Sequence, residues 1–192
     1  MNEFKRTGNS KAALAVGSIQ SEWISTEMYG VIKMLHGKDP EIIVVGSAGL
    51  AISGLLKRPV QDLDILVNKD YYHQPGGFFE THRDFTREKP SMRFFLDDME
   101  VNAFCLNFGK IKVDVFYFPN PKFEPKYSER GDMGTVIRIG DPMVAIKAKL
   151  AFIKKYPQSK EWGKHVQDLK DMNVDPSHIT SAILMSKDEF MN

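Results

Sequence analysis

The sequence predicts an α/β (α+β) protein in which a sheet of short strands is flanked by helices and followed by a helical C-terminal part. The β-branched apolar run at residues 42–45 has the composition of a buried strand. Residues 99–108 and 110–118 form two more strand-like runs joined by a tight connection. From Asp141 onward the apolar residues recur at helical spacing, which places the helical part at the end of the chain.

Length and composition limit the class of protein. A chain of 192 residues is long enough for one well-buried core. We therefore expect a single compact unit, with an N-terminal helix and α/β core in residues 1–140 and a helical part in 141–192 packed on that core. The formal net charge of +1 predicts no general attraction to nucleic acid or to membranes.

Cysteine use and hydropathy suggest the compartment. Cys105 is the single cysteine, which excludes an intramolecular disulfide framework and fits a reducing environment. No apolar run approaches the length that spans a membrane. We therefore expect a cytoplasmic protein without a membrane partner; its oligomeric state does not follow from the sequence.

The first part of the chain alternates helix and strand. Apolar residues keep a spacing of three to four over residues 11–35, which predicts an amphipathic helix. Glycine and proline in 37–40 end that helix before the strand at 42–45. Residues 48–56 then predict a short helix, and the apolar run in 62–67 predicts a second strand.

The middle of the chain is less regular. Residues 68–98 are rich in aromatic and basic side chains and predict a long loop, which either packs on the core or stacks on a nucleic-acid base. Residues 119–132 form an excursion rich in proline and charge, and 135–139 predict a last short strand.

Three helices are predicted after this strand. Asp141 followed by Pro142 is typical of a helix N-cap and first helical position, and that helix ends near Tyr156. A second helix is predicted over residues 162–172, and Asp175 opens a third. These helices make up the predicted C-terminal part.

Three carboxylates are the candidate metal ligands. Asp62 and Asp64, at positions i and i+2 of a strand, point to the same side and repel each other unless a cation lies between them. Asp114 lies in the strand 110–118, and beside the first pair it would complete a cluster suited to Mg²⁺ or Mn²⁺. Two simpler interpretations stay open: an edge strand with its two acids in water, and a salt bridge from Asp114 to Lys112 or to a nearby arginine.

Gly46 and Ser47 are the candidate phosphate-binding residues. A glycine lets the backbone approach a phosphate closely, and the amides of a following helix point outward. A triphosphate would then bridge this turn and the metal ions. Without the aspartates, an ordinary strand-to-helix turn would be the favoured interpretation.

These motifs together resemble the DNA polymerase β-type nucleotidyltransferase superfamily. The resemblance lies in Gly46-Ser47, in Asp62-Leu63-Asp64-Ile65 after a short helix, and in Asp114 on a later strand. The C-terminal part resembles that of standalone members from toxin–antitoxin and abortive-infection systems. The matching residues there are Lys149-Leu150-Ala151 and Asp168-Leu169.

The resemblance implies a nucleotidyltransferase fold, a mixed sheet flanked by helices, that transfers a nucleoside monophosphate from an NTP to an acceptor hydroxyl and releases pyrophosphate. It implies that Asp62 and Asp64 hold Mg²⁺ or Mn²⁺ ions. Asp114 would be a further metal ligand and the base for the acceptor. The implied acceptor is an RNA 3′ end (tRNA above all), a protein hydroxyl or a small molecule.

The resemblance also implies which residues contact the triphosphate. Gly46 and Ser47 would contact its β- and γ-phosphates, while Lys149, with Lys147 as a second candidate, would neutralise its charge. We interpret His165 and Asp168, at i and i+3, as a hydrogen-bonded pair on a helix face.

Two other classes of function remain open. A catalytically silent nucleotide-binding or regulatory protein would keep the fold and act with a partner chain; the presence of all three aspartates argues against it. An RNA-binding module with structural aspartates would need a continuous basic surface, and the near-neutral charge makes that a weaker hypothesis.

Overall fold

A mixed β-sheet forms the centre of the molecule. The structure, a computed structural model, describes residues 21–38, 41–67, 86–87, 92–96, 99–117, 125–132 and 134–188. The sheet and the helices around it confirm the predicted α/β class. Residues 11–20 of the predicted first helix, and most of the predicted 68–98 loop with its proposed base contacts, lie outside the described ranges. No helix within those ranges has the length and apolar character needed to cross a membrane.

The described part contains eight strands and five helices. The strands are β1 (Ile43–Val45), β2 (Leu63–Leu66), β3 (Thr86–Arg87), β4 (Met92–Leu96), β5 (Met99–Phe108), β6 (Ile111–Tyr117), β7 (Tyr127–Asp132) and β8 (Thr135–Gly140). The helices are α1 (Thr26–Lys38), α2 (Gly46–Ile52), α3 (Pro142–Lys155), α4 (Trp162–Asp171) and α5 (Pro176–Asp188). The strand order is β3-β5-β6-β2-β1-β8-β7, and β4 also pairs with β5.

The predicted strands and C-terminal helices are present, but three further strands were not predicted. β7 lies within the stretch 119–132 that was expected to be irregular, and it pairs antiparallel with β8. β3 and β4 lie within 68–98, where we expected a loop, and both pair antiparallel with β5. The expectation of irregular structure was therefore wrong for β3, β4 and β7. Each of these strands forms by hydrogen bonding to a neighbouring strand, and this pairing is not evident from its own sequence.

Strand β2 lies inside the sheet, antiparallel to β1 and parallel to β6. The hypothesis of an edge strand is therefore wrong. Leu63 and Ile65 of β2 and Val113 and Val115 of β6 are fully buried in the main core. Because strand side chains alternate between faces, Asp64 of β2 and Asp114 of β6 point to the opposite face of the sheet.

The C-terminal helices pack around a small core of their own, formed by Ile153, Val166, Leu169, Ile179 and Ala182. Helix α3 begins as predicted, since the Asp141 carboxylate accepts a hydrogen bond of 2.9 Å from the amide of Met143 and Pro142 occupies the first turn. The start of α3 lines a crevice with Gly46 and Gly49 of α2. The helical part therefore lies against the turn that sequence analysis assigned to phosphate binding.

Candidate functional site

Two of the predicted carboxylates are neighbours in the sheet. Asp64 on β2 and Asp114 on β6 are register partners of adjacent parallel strands, so their side chains leave the same face. Asp62 precedes β2 by one residue, and its negative charge acts on Asp64. The structure thus brings Asp64 and Asp114 together on one face of the sheet, which we call the acidic face, with the charge of Asp62 acting on it.

Asp64 is the carboxylate most affected by these surroundings. Burial raises its pKa to about 7, and the negative charges of Asp62 and Asp114 add to the rise. The positive charges of Lys149 and Lys112 act in the opposite direction but do not outweigh it. Burial and like-charge repulsion are both penalties that a cation bound at the acidic face would relieve.

Asp114 has one paired and one unpaired oxygen. Its Oδ2 accepts a hydrogen bond of 2.6 Å from the ammonium of Lys112, so the salt bridge considered as an alternative is present. Its Oδ1 is buried and has no hydrogen-bond partner. A buried carboxylate oxygen without a partner is unfavourable unless another group binds it.

The donors on the acidic face fit a hard divalent cation chemically, because carboxylate oxygens are the ligands that Mg²⁺ and Mn²⁺ take in proteins. The unpartnered Oδ1 of Asp114 and the repulsion on Asp64 support that fit. In the described part of the chain, however, no group of three or more His, Cys, Asp or Glu side chains is gathered closely enough to hold a metal ion. In this arrangement the ammonium of Lys112 is bound to the Asp114 carboxylate.

The Gly46 turn lies directly against Asp64. Gly46 has φ of +60°, in the region that favours glycine. A Cβ atom on Gly46 would collide with the Asp64 carboxylate. Glycine is therefore needed here for backbone conformation and for space, and the predicted phosphate turn adjoins the predicted metal ligands. Ser47, the next residue, is buried with 8% exposure.

Sequence analysis missed Arg58 as a residue of this region. Its guanidinium donates to both carboxylate oxygens of Asp168, at 2.6 and 2.8 Å, and to the Ser47 hydroxyl at 3.4 Å. Asp168 is fully buried on α4. Burial opposes the charged form of Asp168, but the hydrogen bonds from Arg58 and Lys149 outweigh it and the pKa of this carboxyl is lowered. Arg58 thereby connects the Ser47 turn to the C-terminal helices.

Lys149 and Lys147 lie on different sides of α3, as their spacing predicts. Lys149 is buried at 6% exposure, and its ammonium donates to Asp168 at 2.8 Å. It also lies 3.3 Å from Nδ1 of His165, while Lys147 is exposed. Asp168 thus binds Arg58 and Lys149 rather than forming the expected pair with His165, because the buried carboxylate needs charged donors that a histidine of lowered pKa does not supply.

This chain is similar to solved structures of other proteins. The structure of an antigenic nucleotidyltransferase-like protein from Paracoccidioides brasiliensis is similar, with a TM-score of 0.53, 13% identity and coverage of 83% of this chain and 87% of that one. This chain has a nucleotidyltransferase-like fold. JHP933 from Helicobacter pylori also matches, with a TM-score of 0.39, 18% identity and coverage of 83% and 76% of the two chains. No family model and no curated protein matches the sequence.

The nucleotidyltransferase-like fold accounts for the arrangement of the site. In this chain the fold places the acidic residues on central strands β2 and β6 and the glycine turn on the connection from β1 to α2. At 13% sequence identity, the similarity supports a shared fold and nothing more specific.

We expect Gly46→Ala to destabilise the protein by more than Gly109→Ala. Both glycines have positive φ, of +60° and +58°, but a Cβ at Gly109 meets nothing within 4 Å. The control should therefore lose only about 1–2 kcal/mol from backbone strain. Gly46→Ala should lose this amount plus the collision with Asp64, which urea unfolding would measure. Equal losses of unfolding free energy in the two variants would show that a Cβ at Gly46 does not collide with the Asp64 carboxylate.

We expect Asp168→Asn to lower the free energy of unfolding by about 3–5 kcal/mol, because it leaves the charges of Arg58 and Lys149 without their buried counter-ion. Asp171→Asn, on the exposed side of the same helix, is the matched control and should change stability by less than about 0.5 kcal/mol. Urea unfolding of both variants checks this. A loss for Asp168→Asn no larger than that of the control would contradict the buried network.

His165 should make stability depend on pH. Burial, then the positive charge of Lys149, lowers the pKa of His165 from 6.5 to about 4. Asp168, Lys164 and Glu161 also act on this ring. Between these pH values the unfolded chain binds a proton that the folded protein does not, so this residue's contribution to stability falls as pH is lowered from about 6.5 to about 4.

The variant His165→Gln tests this dependence. Subtracting its free energy of unfolding from that of the wild type, at each pH, cancels the titration of the other groups. The difference should grow in favour of the wild type as pH rises from about 4 to about 6.5. A difference that is flat over this interval would show that His165 keeps its ordinary pKa.

Proposed function

We propose that this chain is a metal-dependent nucleotidyltransferase that moves a nucleoside monophosphate from an NTP to an acceptor hydroxyl. The observation that supports this most is the pairing of Asp64 with Asp114 on adjacent strands, with the Gly46 turn against the Asp64 carboxylate. Carboxylates and a close-approach turn are the two parts that a metal–triphosphate substrate needs. The nucleotidyltransferase-like fold is consistent with this assignment.

Asp62, Asp64 and Asp114 would hold Mg²⁺ or Mn²⁺. When bound, the ion supplies positive charge to the triphosphate and to the attacking oxygen. Asp62 and Asp64 act on each other electrostatically across the acidic face, and the Oδ1 of Asp114 has no other partner. These residues are the ones we assign to catalysis.

The proposed reaction is an in-line substitution at phosphorus. The acceptor oxygen forms a bond to the α-phosphorus, and the bond from that phosphorus to the oxygen bridging to the β-phosphate breaks. Pyrophosphate leaves with the electron pair of the broken bond, while the hydroxyl proton passes to the Asp114 carboxylate. The contribution of the protein is mostly positioning and charge stabilisation.

Four residues are assigned to the triphosphate. Gly46 and Ser47 would contact the β- and γ-phosphates from the turn beside Asp64. This turn is close to the proposed metal ligands, since a Cβ atom added at Gly46 would collide with Asp64. Lys149 would add positive charge, since its charge already acts on Asp64. Lys147 is exposed on the other side of α3, so it would reach phosphate only at the edge of the site.

The acceptor is proposed by class. An RNA 3′ end, tRNA above all, a protein hydroxyl and a small molecule each present the hydroxyl that the reaction requires. We also propose the standalone, toxin-like or abortive-infection-like subtype. Its support is that Lys149 on α3 and Asp168 on α4, which lie in the C-terminal motifs, bind each other.

One observation favours a catalytically silent nucleotide-binding or regulatory protein instead. Lys112 already neutralises Asp114, and a chain that never bound metal would need such an internal partner. The experiment below separates the two functions.

We expect the wild-type protein, incubated with each labelled NTP, Mg²⁺ and total cellular RNA or protein, to transfer label to an acceptor. Asp64→Asn and Asp114→Asn should each lower transfer by at least about 100-fold. Asp64→Asn should fold at least as stably as the wild type, because it removes a repelled buried charge. Asp171→Asn, which is exposed and distant in sequence, is the control for activity.

The outcomes distinguish the hypotheses. If calorimetry detects Mg²⁺-dependent binding of an NTP but no acceptor is labelled, the silent nucleotide-binding protein is the better account. If the wild type binds no NTP at all, the aspartates are structural and the proposed reaction is wrong.

A further inference from the structure

A lysine lies among the carboxylates of the acidic face. Lys112 precedes Asp114 by two residues on β6, so the two side chains leave the same face of the sheet. Its ammonium is 2.6 Å from Oδ2 of Asp114. The charge of Asp62 also acts on Lys112, and the charge of Lys112 acts on Asp64. The ammonium therefore interacts with all three proposed metal ligands.

The lysine and the carboxylate differ in exposure. The Asp114 side chain is 15% exposed, whereas that of Lys112 is 44% exposed. The carboxylate is thus mostly enclosed, while the more exposed ammonium reaches it on a flexible four-carbon stem. Lys112 can move its ammonium into water without any change in the backbone, and the carboxylate cannot follow it.

A divalent cation at the acidic face and this ammonium would bind the same carboxylate. A metal ion at the acidic face would take carboxylate oxygens as ligands, and Oδ1 of Asp114 is one without a hydrogen-bond partner. Here Oδ2 of Asp114 is bound by Lys112, and within the described ranges the acids are not gathered into a metal-holding group. A metal ion on Oδ1 would therefore bind a carboxylate whose other oxygen already binds a cation, and the repulsion between the two positive charges favours opening of the Lys112–Asp114 pair.

We propose that Lys112 is an internal competitor of the divalent cation, which neutralises Asp114 until a metal ion displaces the ammonium into solvent. This inference rests on the proposed metal-dependent function. This competition weakens the binding of free metal, because the affinity of the site is reduced by the fraction of molecules in which the Lys112–Asp114 ion pair is closed. A bound metal–nucleotide complex, which brings further contacts with the turn at Gly46, would displace the lysine more readily than the metal alone.

The test is Mn²⁺ binding to the full chain, measured by electron paramagnetic resonance of the free ion in titrations without nucleotide. Lys112→Gln removes the charge but keeps a polar chain, and we expect it to bind Mn²⁺ about 5- to 20-fold more tightly than the wild type. Lys112→Arg keeps the charge and should stay within about twofold of the wild type. Lys110→Gln, in the exposed turn before β6, controls for the general effect of losing one positive charge.

The results separate this inference from the proposed function. Wild-type binding with no change in Lys112→Gln overturns the inference alone. Weaker binding by Lys112→Gln also overturns it, because the lysine would then be orienting Asp114 for the metal. If neither protein binds Mn²⁺ without nucleotide, the inference fails, while the proposed function is still decided by the Mg²⁺-dependent binding of an NTP.

A second measurement uses only the wild-type protein, so it does not depend on the folding of a variant. Displacement should free the Lys112 ammonium, and Mg²⁺ should then raise its modification by an amine-reactive reagent, measured by peptide mass spectrometry. Lys110 is the internal reference in the same peptide region and should not respond. Modification of Lys112 that is unchanged or lowered by Mg²⁺ would overturn the proposal.

Discussion

The parallel pairing of β2 with β6 places two acidic side chains next to each other on a partly buried surface. Like charges in such a position are unfavourable, and the molecule must neutralise them by protonation, by an internal ammonium or by a bound cation. The raised pKa of Asp64 and the ion pair between Asp114 and Lys112 are the first two of these solutions. A metal ion is the third, and it is the solution that would make the arrangement useful for chemistry on a triphosphate.

The C-terminal helices depend on a second buried group. Asp168 binds Arg58, which lies before β2, and Lys149, which lies on α3. Such a network contributes little net stability compared with apolar packing, but its bonds connect the segment before β2 with α3 and α4. Arg58 also donates a hydrogen bond to the Ser47 hydroxyl, which connects this network to the glycine turn. The glycine turn is therefore held from one side by Asp168 and its partners and bounded on the other by Asp64.

Local chemistry explains what could be predicted from the sequence. The alternation around Asp64 and the N-cap at Asp141 depend on neighbouring residues, and both are present as expected. β7 escaped prediction because its residues, from Tyr127 to Asp132, are mostly polar and form a strand only by pairing with β8. Arg58 escaped it because its partner, Asp168, is 110 residues away, and no spacing rule reports a contact at that distance. Spacing predicted which residues share a face but not which of them bind one another.

The central claim, that these carboxylates form a site for a divalent cation, is tested most directly by anomalous diffraction from a crystal of the protein grown with Mn²⁺ and a non-hydrolysable NTP analogue. We expect an anomalous peak at the acidic face, about 2.0–2.2 Å from oxygens of Asp64 and at least one of its acidic neighbours. We also expect that Lys112 has left Asp114 in the same crystal. A structure with ordered nucleotide and no peak beside Asp64, or with Mn²⁺ bound elsewhere, would contradict this claim.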